Sequence, residues 1–268
     1  MASDGPTVRQ AVFDLLRIFR LTTIFGNPGS TELAMFRDLP DDFRYVLGLQ
    51  ESLVVAMADG FARGNRNAAV VQLHSAIGVG NAMGSIYTAY QNRTPLVVIA
   101  GQQARSLLSA EPFQYSDQAA QLPQPYVKWS VEPARAEDVP AAVARAYYLA
   151  TAPPQGPVLV SVPSDDWDRP ADLVVPRPIS ASFRADGRDV AEIAAALAAA
   201  DAPGLVVGPV VDQDGAFAEV VELAERLQAR VWSAPWPSRC SFPENHALYA
   251  GVLPPVRELI RDKLAAHD

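Results

Sequence analysis

Three polar side chains in the first third of the chain follow short apolar runs and could carry acid–base chemistry. They are Ser30, Glu51 and His74, after runs that end at Phe25, Leu47 and Leu73. A carboxyl group and an imidazole can each exchange a proton, and a serine hydroxyl can donate or accept a hydrogen bond inside a pocket. Apolar runs of this kind are typical of buried parallel strands, whose carboxyl ends share one edge of a sheet. We therefore expect the three side chains to face the same edge.

Each of these residues also has a purely structural interpretation. Glu51 can be an acidic first-turn residue that faces the positive end of a helix dipole, or a partly buried carboxyl group suited to proton exchange. His74 can be a half-buried histidine that hydrogen-bonds to the backbone, or a catalytic group. Ser30 can cap the helix that follows it, or point into a pocket. Local sequence leaves these alternatives open.

Composition excludes several classes of protein. The chain has 268 residues, of which 49% are hydrophobic and 19% charged, so it can bury a substantial core. A formal net charge of -8 argues against a nucleic-acid partner or an anionic membrane surface. The single cysteine, Cys240, and three histidines cannot supply an ordinary zinc cage. With neither a signal-peptide pattern nor a long apolar stretch, a cytoplasmic protein without a membrane segment is expected.

Alternating strand and helix patterns supply the elements that position these residues. Apolar positions from Val8 to Phe19 recur with helical spacing after Thr7, which is placed to cap the helix. Strands are predicted at 23–25, 45–47, 69–73, 96–100, 127–129 and 156–163. Helices are predicted to open near Ser30 and Glu51 and to run over 81–90 and 139–150. This alternation predicts an α/β fold in which a parallel sheet carries helices on both faces.

The second half of the chain predicts a separate unit. Residues 164–183 are rich in Asp, Pro and Arg without periodicity and are interpreted as a linker. Helices over 190–200 and 217–227, with strands at 205–207 and 231–232, begin another α/β unit. A last helix carries an apolar stripe at Val256, Leu259, Ile260 and Leu264 with no strand after it. We expect a first domain at 1–163, a linker at 164–183 and a truncated second domain at 184–268.

An ordered set of short motifs resembles a known enzyme family. The motifs are Phe25–Ser30, Leu49–Glu51, Ala58–Ala62, Leu73–Ser75, Gly80–Gly84 and Gly101–Gln103. Together they resemble the amino-terminal, pyrimidine-binding domain of thiamine-diphosphate-dependent 2-keto acid decarboxylases, and within that family most closely the benzoylformate decarboxylases. The resemblance continues to Ala224–Leu227 and Pro243, and so covers essentially the whole chain.

The resemblance implies roles for particular residues. Glu51 matches the glutamate that hydrogen-bonds the aminopyrimidine ring of the cofactor and favours its imino tautomer. Ser30 and His74 match residues that bind the substrate carboxylate and move protons on bound intermediates. Asn27, Pro28 and Asn81, together with Glu51 and His74, are expected to contact the cofactor.

The resemblance also places a substrate pocket. Pro28 and Ser30 are expected to line it together with Phe113 and Gln114 from the long loop at 102–125. Benzoylformate decarboxylases carry aliphatic residues at the Pro112–Tyr115 stretch of this loop. Gln114 and Tyr115 could instead recognise a polar group on the substrate.

The implied reaction converts a 2-keto acid to an aldehyde and carbon dioxide, with thiamine diphosphate and magnesium as cofactors. The resemblance places the magnesium and diphosphate ligands in a carboxyl-terminal domain beyond Asp268, so no metal ligand is expected in this chain. The active site is expected to form with a neighbouring subunit, in a homo-oligomer that is a dimer of dimers. The chain alone is therefore expected to be incomplete and inactive. The alternatives are a carboligase similar to acetolactate synthase, or a non-catalytic α/β dimerisation module.

Overall fold

A parallel sheet organises the first part of the computed structural model, which describes residues 5–179 and 184–268. Within residues 5–179 the sheet has six parallel strands in the order β2-β1-β3-β4-β6-β5. The strands are β1 (Thr23–Asn27), β2 (Arg44–Leu47), β3 (Ala69–Leu73), β4 (Leu96–Gln102), β5 (Ser130–Val131) and β6 (Val158–Pro163). The predicted parallel sheet is confirmed, although the strand expected at 127–129 lies at Ser130–Val131.

Helices cover both faces of this sheet, as the sequence predicts. They are α1 (Val8–Ile18), α2 (Leu33–Phe36), α3 (Glu51–Asn65), α4 (Ser75–Gln91) and α5 (Val139–Thr151). One hydrophobic cluster packs α1 and α5 against side chains such as Val70, Val97 and Val160. A second cluster packs α3 and α4 against alternate residues of the same strands, such as Val71 and Val98. Both strand faces are therefore buried, which explains the continuous apolar runs.

The predicted helix starts are correct in some places and wrong in others. The side chain of Thr7 accepts a hydrogen bond from the backbone of Gln10 and caps α1, as expected. Ser30 is not a helix cap, because α2 begins only at Leu33 and the residue before it is Glu32. The helix expected from Asn81 already begins at Ser75.

The early part of the predicted linker packs on the first unit. Trp167 is 2% exposed within the cluster of α1 and α5, and the Arg105 guanidinium lies 2.6 Å from the buried carboxylate of Asp166. Thr7 also pairs with Pro170 in an antiparallel bridge. Because aromatic burial and a charge-assisted contact hold this stretch, we propose that residues 164–171 belong with the first domain and that the connection begins later.

A separate unit follows the segment 180–183. Within residues 184–268, three parallel strands pair in the order β7-β8-β9. The elements are α6 (Gly187–Ala199), β7 (Gly204–Val207), α7 (Val210–Gln213), α8 (Phe217–Leu227), β8 (Arg230–Ser233), β9 (Tyr249–Val252) and α9 (Arg257–Leu264). The sequence predicted this partial α/β unit with β7 and β8. It did not predict β9. In the described residues, neither α6 nor α9 contributes a buried side chain.

The helices of the described residues were compared with the length and apolarity that a bilayer span requires. Within residues 5–179 and 184–268, every helix is too short or too polar to cross a bilayer.

Candidate active site

The edge at the carboxyl ends of β2, β1 and β3 brings the predicted polar residues together. These three strands are neighbours in that order. Glu51 opens α3 after β2, Asn27 ends β1, and His74 directly precedes α4 after β3. Consecutive strand ends therefore present a carboxyl group, an amide and an imidazole along one edge of the sheet, which is where open parallel sheets bind ligands.

Glu51 and Asn81 form one side of this edge. Asn81 Nδ2 lies 3.3 Å from Glu51 Oε2, and the Ser52 hydroxyl donates to the Asn81 carbonyl oxygen over 2.5 Å. The start of α3 is thereby tied to α4. Glu51 is half-buried, whereas Leu49 beside it in the chain is 88% exposed. The pair offers a carboxyl group and an amide next to exposed apolar surface.

His74 lies in a second group of polar side chains. Its Nδ1 atom is 2.8 Å from Glu32 Oε2 and 3.1 Å from Thr31 Oγ1, and its Nε2 atom is 3.0 Å from Gln114 Oε1. The His74 side chain is 17% exposed. The long loop therefore reaches the imidazole through Gln114.

Glu32 is the principal residue of this group that the sequence did not single out. It is 3% exposed. Its Oε2 atom accepts from the Gly29 backbone over 2.8 Å and lies beside His74, while its Oε1 atom accepts from the Thr31 hydroxyl over 2.5 Å and from the Ser75 backbone over 3.3 Å. A carboxylate has room for about four such bonds, so the site satisfies it fully. The sequence offers one signal for it, an acidic residue two positions after Ser30, but the same position is also typical of the start of a helix.

Two glycines allow these side chains to approach the backbone closely. A Cβ atom on Gly29 would lie 2.3 Å from His74 Nδ1, and a Cβ atom on Gly101 would lie 1.8 Å from Glu32 Oε1. Both distances are far shorter than van der Waals contact. Gly29 and Gly101 are therefore required for the positions of the imidazole and the carboxylate.

Other predicted site residues take different positions. Ser30 is exposed and lines a surface depression with Leu33, Arg37 and Asp165, while its neighbour Thr31 contacts His74. Asn27 and Pro28 are half-buried at the end of β1.

The predicted loop residues Phe113 and Gln114 differ sharply from each other. Phe113 is 88% exposed, whereas Gln114 is half-buried against His74. Gln114 also has a φ of 69°, in the left-handed region, which is uncommon for a residue with a side chain. The structure thus brings Gln114 to the site and leaves Phe113 facing solvent.

A tyrosine extends the polar network beneath the site. The Tyr45 hydroxyl donates to Gln72 Oε1 over 2.7 Å. Burial, and secondarily the negative charge of Glu32, raises the pKa of Tyr45 well above its usual value. Tyr45 therefore remains protonated and acts as a hydrogen-bond donor at neutral pH.

Metal-ligating side chains do not cluster at this edge. Across the described parts of the chain, no group of three or more His, Cys, Asp or Glu side chains could hold a metal ion.

The fold and the edge define a class of protein, namely α/β ligand-binding domains with acid–base groups at the carboxyl ends of parallel strands. Residues 6–121 match the thiamine pyrophosphate enzyme N-terminal TPP binding domain, and residues 190–268 match the central domain of the same enzymes. Thiamine pyrophosphate is another name for thiamine diphosphate. The chain belongs to the thiamine pyrophosphate enzyme family.

Individual relatives agree with this assignment. Benzoylformate decarboxylase of Pseudomonas aeruginosa is 46% identical over 266 residues, which cover 98% of this chain and 50% of that protein. Acetolactate synthase of Arthrospira platensis is 30% identical over 255 residues, or 91% of this chain and 44% of that protein.

A solved structure agrees in fold as well as sequence. It is the thiamine-diphosphate-dependent 4-hydroxybenzoylformate decarboxylase of Rhodococcus jostii RHA1, with a TM-score of 0.93 and 45% identity. The match covers 98% of this chain and 51% of that one. The chain thus spans about half the length of the relatives it matches.

Proposed function

We propose that this chain is the amino-terminal part of a thiamine-diphosphate-dependent decarboxylase that converts a 2-keto acid of the benzoylformate type to an aldehyde and carbon dioxide. One observation carries the proposal: Glu51 at the start of α3 pairs with Asn81, on the strand edge that also holds His74. Similarity to benzoylformate decarboxylase over 98% of the chain supports the substrate class.

The residues at this edge fit the aminopyrimidine end of the cofactor. An aminopyrimidine has ring nitrogens, an exocyclic amino group and apolar faces. Glu51 supplies a carboxyl group that can exchange a proton with a ring nitrogen, Asn81 holds that group over 3.3 Å, and exposed Leu49 offers apolar surface. Asn27 and Pro28, half-buried at the end of β1, are proposed to complete these contacts. When bound, the cofactor supplies an electron sink for loss of carbon dioxide.

His74 is proposed to act on the substrate side. Its Nε2 atom faces the long loop and contacts Gln114 over 3.0 Å, while its Nδ1 atom is held from within by Glu32. When both ring nitrogens carry a proton, an imidazole fixed in this way can donate a hydrogen bond from Nε2 to a substrate carboxylate and can transfer that proton to the bound substrate. With Nε2 unprotonated, it can instead take up a proton. Ser30 is proposed to assist from the turn after β1, and Phe113 to line the pocket. Both side chains are exposed in this chain, so these two roles require the loop or a further domain to cover them.

Acetolactate synthase-like carboligation is a second candidate. A 30% identical acetolactate synthase matches 91% of the chain. The placement of His74 beside Gln114 favours the decarboxylase, because a group that transfers protons to bound intermediates is needed to release an aldehyde.

The complete protein is proposed to contain a magnesium and diphosphate site outside this chain and to act as a homo-oligomer, a dimer of dimers. The basis is the family resemblance together with the half-length match to the relatives. The isolated chain is accordingly proposed to be inactive, and a cytoplasmic location stays a prediction from its sequence.

Cofactor binding and turnover by the complete protein test this proposal. Calorimetry with thiamine diphosphate and magnesium, followed by assays with benzoylformate and pyruvate, should show tight binding and decarboxylation of benzoylformate. Release of benzaldehyde with carbon dioxide supports the decarboxylase, and formation of acetolactate from pyruvate supports the carboligase. Failure of the complete protein to bind the cofactor would refute both. The same measurements on residues 1–268 should give weak binding and no product.

A further inference from the structure

The buried Glu32–His74 pair determines where the imidazole can carry its proton. Glu32 Oε2 lies 2.8 Å from His74 Nδ1, a distance at which one hydrogen must lie between the two atoms. Two lone pairs facing each other at this distance would repel. The pair therefore needs either a proton on Nδ1 or a proton on the carboxyl group.

The other contacts of Glu32 decide between these two arrangements. Gly29 and Ser75 donate from the backbone, and the Thr31 hydroxyl has one hydrogen, which the 2.5 Å contact directs to Glu32 Oε1. Each carboxyl oxygen thus already faces a donor. A protonated carboxyl group would have to point its hydrogen away from this set, so the hydrogen at the 2.8 Å contact belongs to His74 Nδ1.

We propose that Glu32 is a positioning residue that holds His74 as its Nδ1–H form and leaves Nε2 as the nitrogen that exchanges protons with substrate. The inference rests on the proposed function for the role of Nε2, and on this chain's geometry for the tautomer. It makes Glu32, a buried carboxylate without direct access to substrate, responsible for the orientation of a catalytic imidazole.

Gln114 is the second partner in this arrangement. Its Oε1 atom lies 3.0 Å from His74 Nε2, an arrangement that suits a ring protonated on both nitrogens. The two ends of an amide are similar in shape, so in the neutral ring with its proton on Nδ1 the amide turns over and its NH₂ end donates to Nε2. Gln114 then covers the exchanging nitrogen until substrate replaces it.

Nitrogen NMR of the histidine rings tests the proposal on residues 1–268, without cofactor or substrate. The chain contains three histidines, so ¹⁵N-histidine labelling gives an assignable spectrum. Neutral His74 should be protonated at Nδ1. His246 should show the opposite form, because its Nδ1 atom accepts from the Leu248 backbone and its Nε2 atom faces Glu225. A neutral His74 protonated at Nε2 would overturn the proposal.

A matched pair of variants tests whether Glu32 sets the tautomer of His74 or serves only to stabilise the fold. Glu32→Gln keeps the shape but removes one acceptor oxygen, and should lower the ratio of Nδ1–H to Nε2–H at His74 about tenfold. Glu225→Gln removes the carboxylate from the exposed His246 pair and should leave His74 unchanged. An unchanged His74 ratio in a folded Glu32→Gln protein would contradict the positioning role. If that variant does not fold, the wild-type spectrum still decides the tautomer.

The outcomes also separate this inference from the proposed function. An Nδ1–H His74 in a complete protein that decarboxylates no 2-keto acid would keep the Glu32 assignment and refute the function. An Nε2–H His74 in an active decarboxylase would refute the Glu32 assignment alone.

Discussion

Asn81 Nδ2 lies 3.3 Å from Glu51 Oε2, so an amide on α4 holds the carboxyl group that opens α3. The two helices pack side by side over the same strand face. The orientation of Glu51 is therefore set by a residue 30 positions later in the chain. This contact fixes the Glu51 carboxyl group at the edge formed by the ends of β2 and β1.

Replacement of the Glu51 carboxyl group should affect the reaction and spare the fold. In the complete enzyme, Glu51→Gln is expected to lower turnover about 10²–10⁴-fold, because the amide keeps the shape but cannot exchange a proton. Hydrogen–deuterium exchange at the reactive carbon of bound thiamine diphosphate should slow in parallel. Glu192→Gln, at an exposed position of α6, is the control and should be neutral. Unchanged exchange in Glu51→Gln would refute the assigned role.

A methyl group on Gly101 should disrupt the group around His74. Its Cβ atom would lie 1.8 Å from Glu32 Oε1 and 2.5 Å from Thr31 Oγ1, both buried. Gly101→Ala is expected to lower the free energy of unfolding by about 1–3 kcal/mol, measured by urea denaturation. Gly84→Ala meets open space within α4 and should stabilise by about 0.5–1 kcal/mol. If Gly101→Ala and Gly84→Ala changed the free energy of unfolding equally, the added methyl group at position 101 would not be crowding Glu32.

Alkaline pH should destabilise the protein partly through Tyr45. Burial raises the pKa of Tyr45 in the folded state, whereas in the unfolded chain a tyrosine titrates near about pH 10. The stabilisation is therefore complete below about pH 10 and is lost as the pH rises further, because the unfolded state then releases the proton first. Urea unfolding at about pH 8 and about pH 11 measures this loss.

Tyr45→Phe should reduce that alkaline loss. The variant is also expected to lose about 1–3 kcal/mol near neutral pH, because Gln72 Oε1 loses its donor. Tyr87→Phe, at a 45% exposed position, is the control and should keep the wild-type difference between the two pH values. A Tyr45→Phe protein with the full wild-type loss would contradict this account.

Substitution of Gln114 should change the substrate preference of the complete enzyme, whereas substitution of Phe113 should not. Gln114→Leu replaces the amide beside His74 with an aliphatic side chain, and should raise the kcat/KM ratio of benzoylformate to pyruvate about tenfold in the complete enzyme. Phe113→Leu changes a side chain that is 88% exposed and should shift this ratio less than about twofold. If Phe113→Leu changed this kcat/KM ratio more than Gln114→Leu does, the assignment would be wrong. Phe113, and not Gln114, would then face the substrate in the complete enzyme.

The sequence by itself determined the parallel sheet, the burial of its two faces and the edge at which Glu51 and His74 lie. Continuous apolar runs and helical spacing depend on residues close together in the chain. They therefore indicated most helices and every strand except β5, which was misplaced, and β9, which was not predicted. Glu51 and His74 could be singled out because each directly follows such a run. Motif order then indicated the family, which the comparisons confirm.

Tertiary structure alone decided which side chains meet. Glu32 looked like part of a helix start, yet strand order brings it 2.8 Å from His74, which lies 42 residues away in the chain. The family resemblance, and not local sequence, singled out Ser30 as the hydroxyl near the site. In this chain the turn after β1 directs the Thr31 hydroxyl to His74 and leaves Ser30 exposed. Such contacts depend on the packing of β1, β3 and the long loop, and glycines at 29 and 101 permit them by leaving room. The spacing of apolar residues along the chain cannot predict these long-range contacts, because it indicates only which face of a helix or strand is buried.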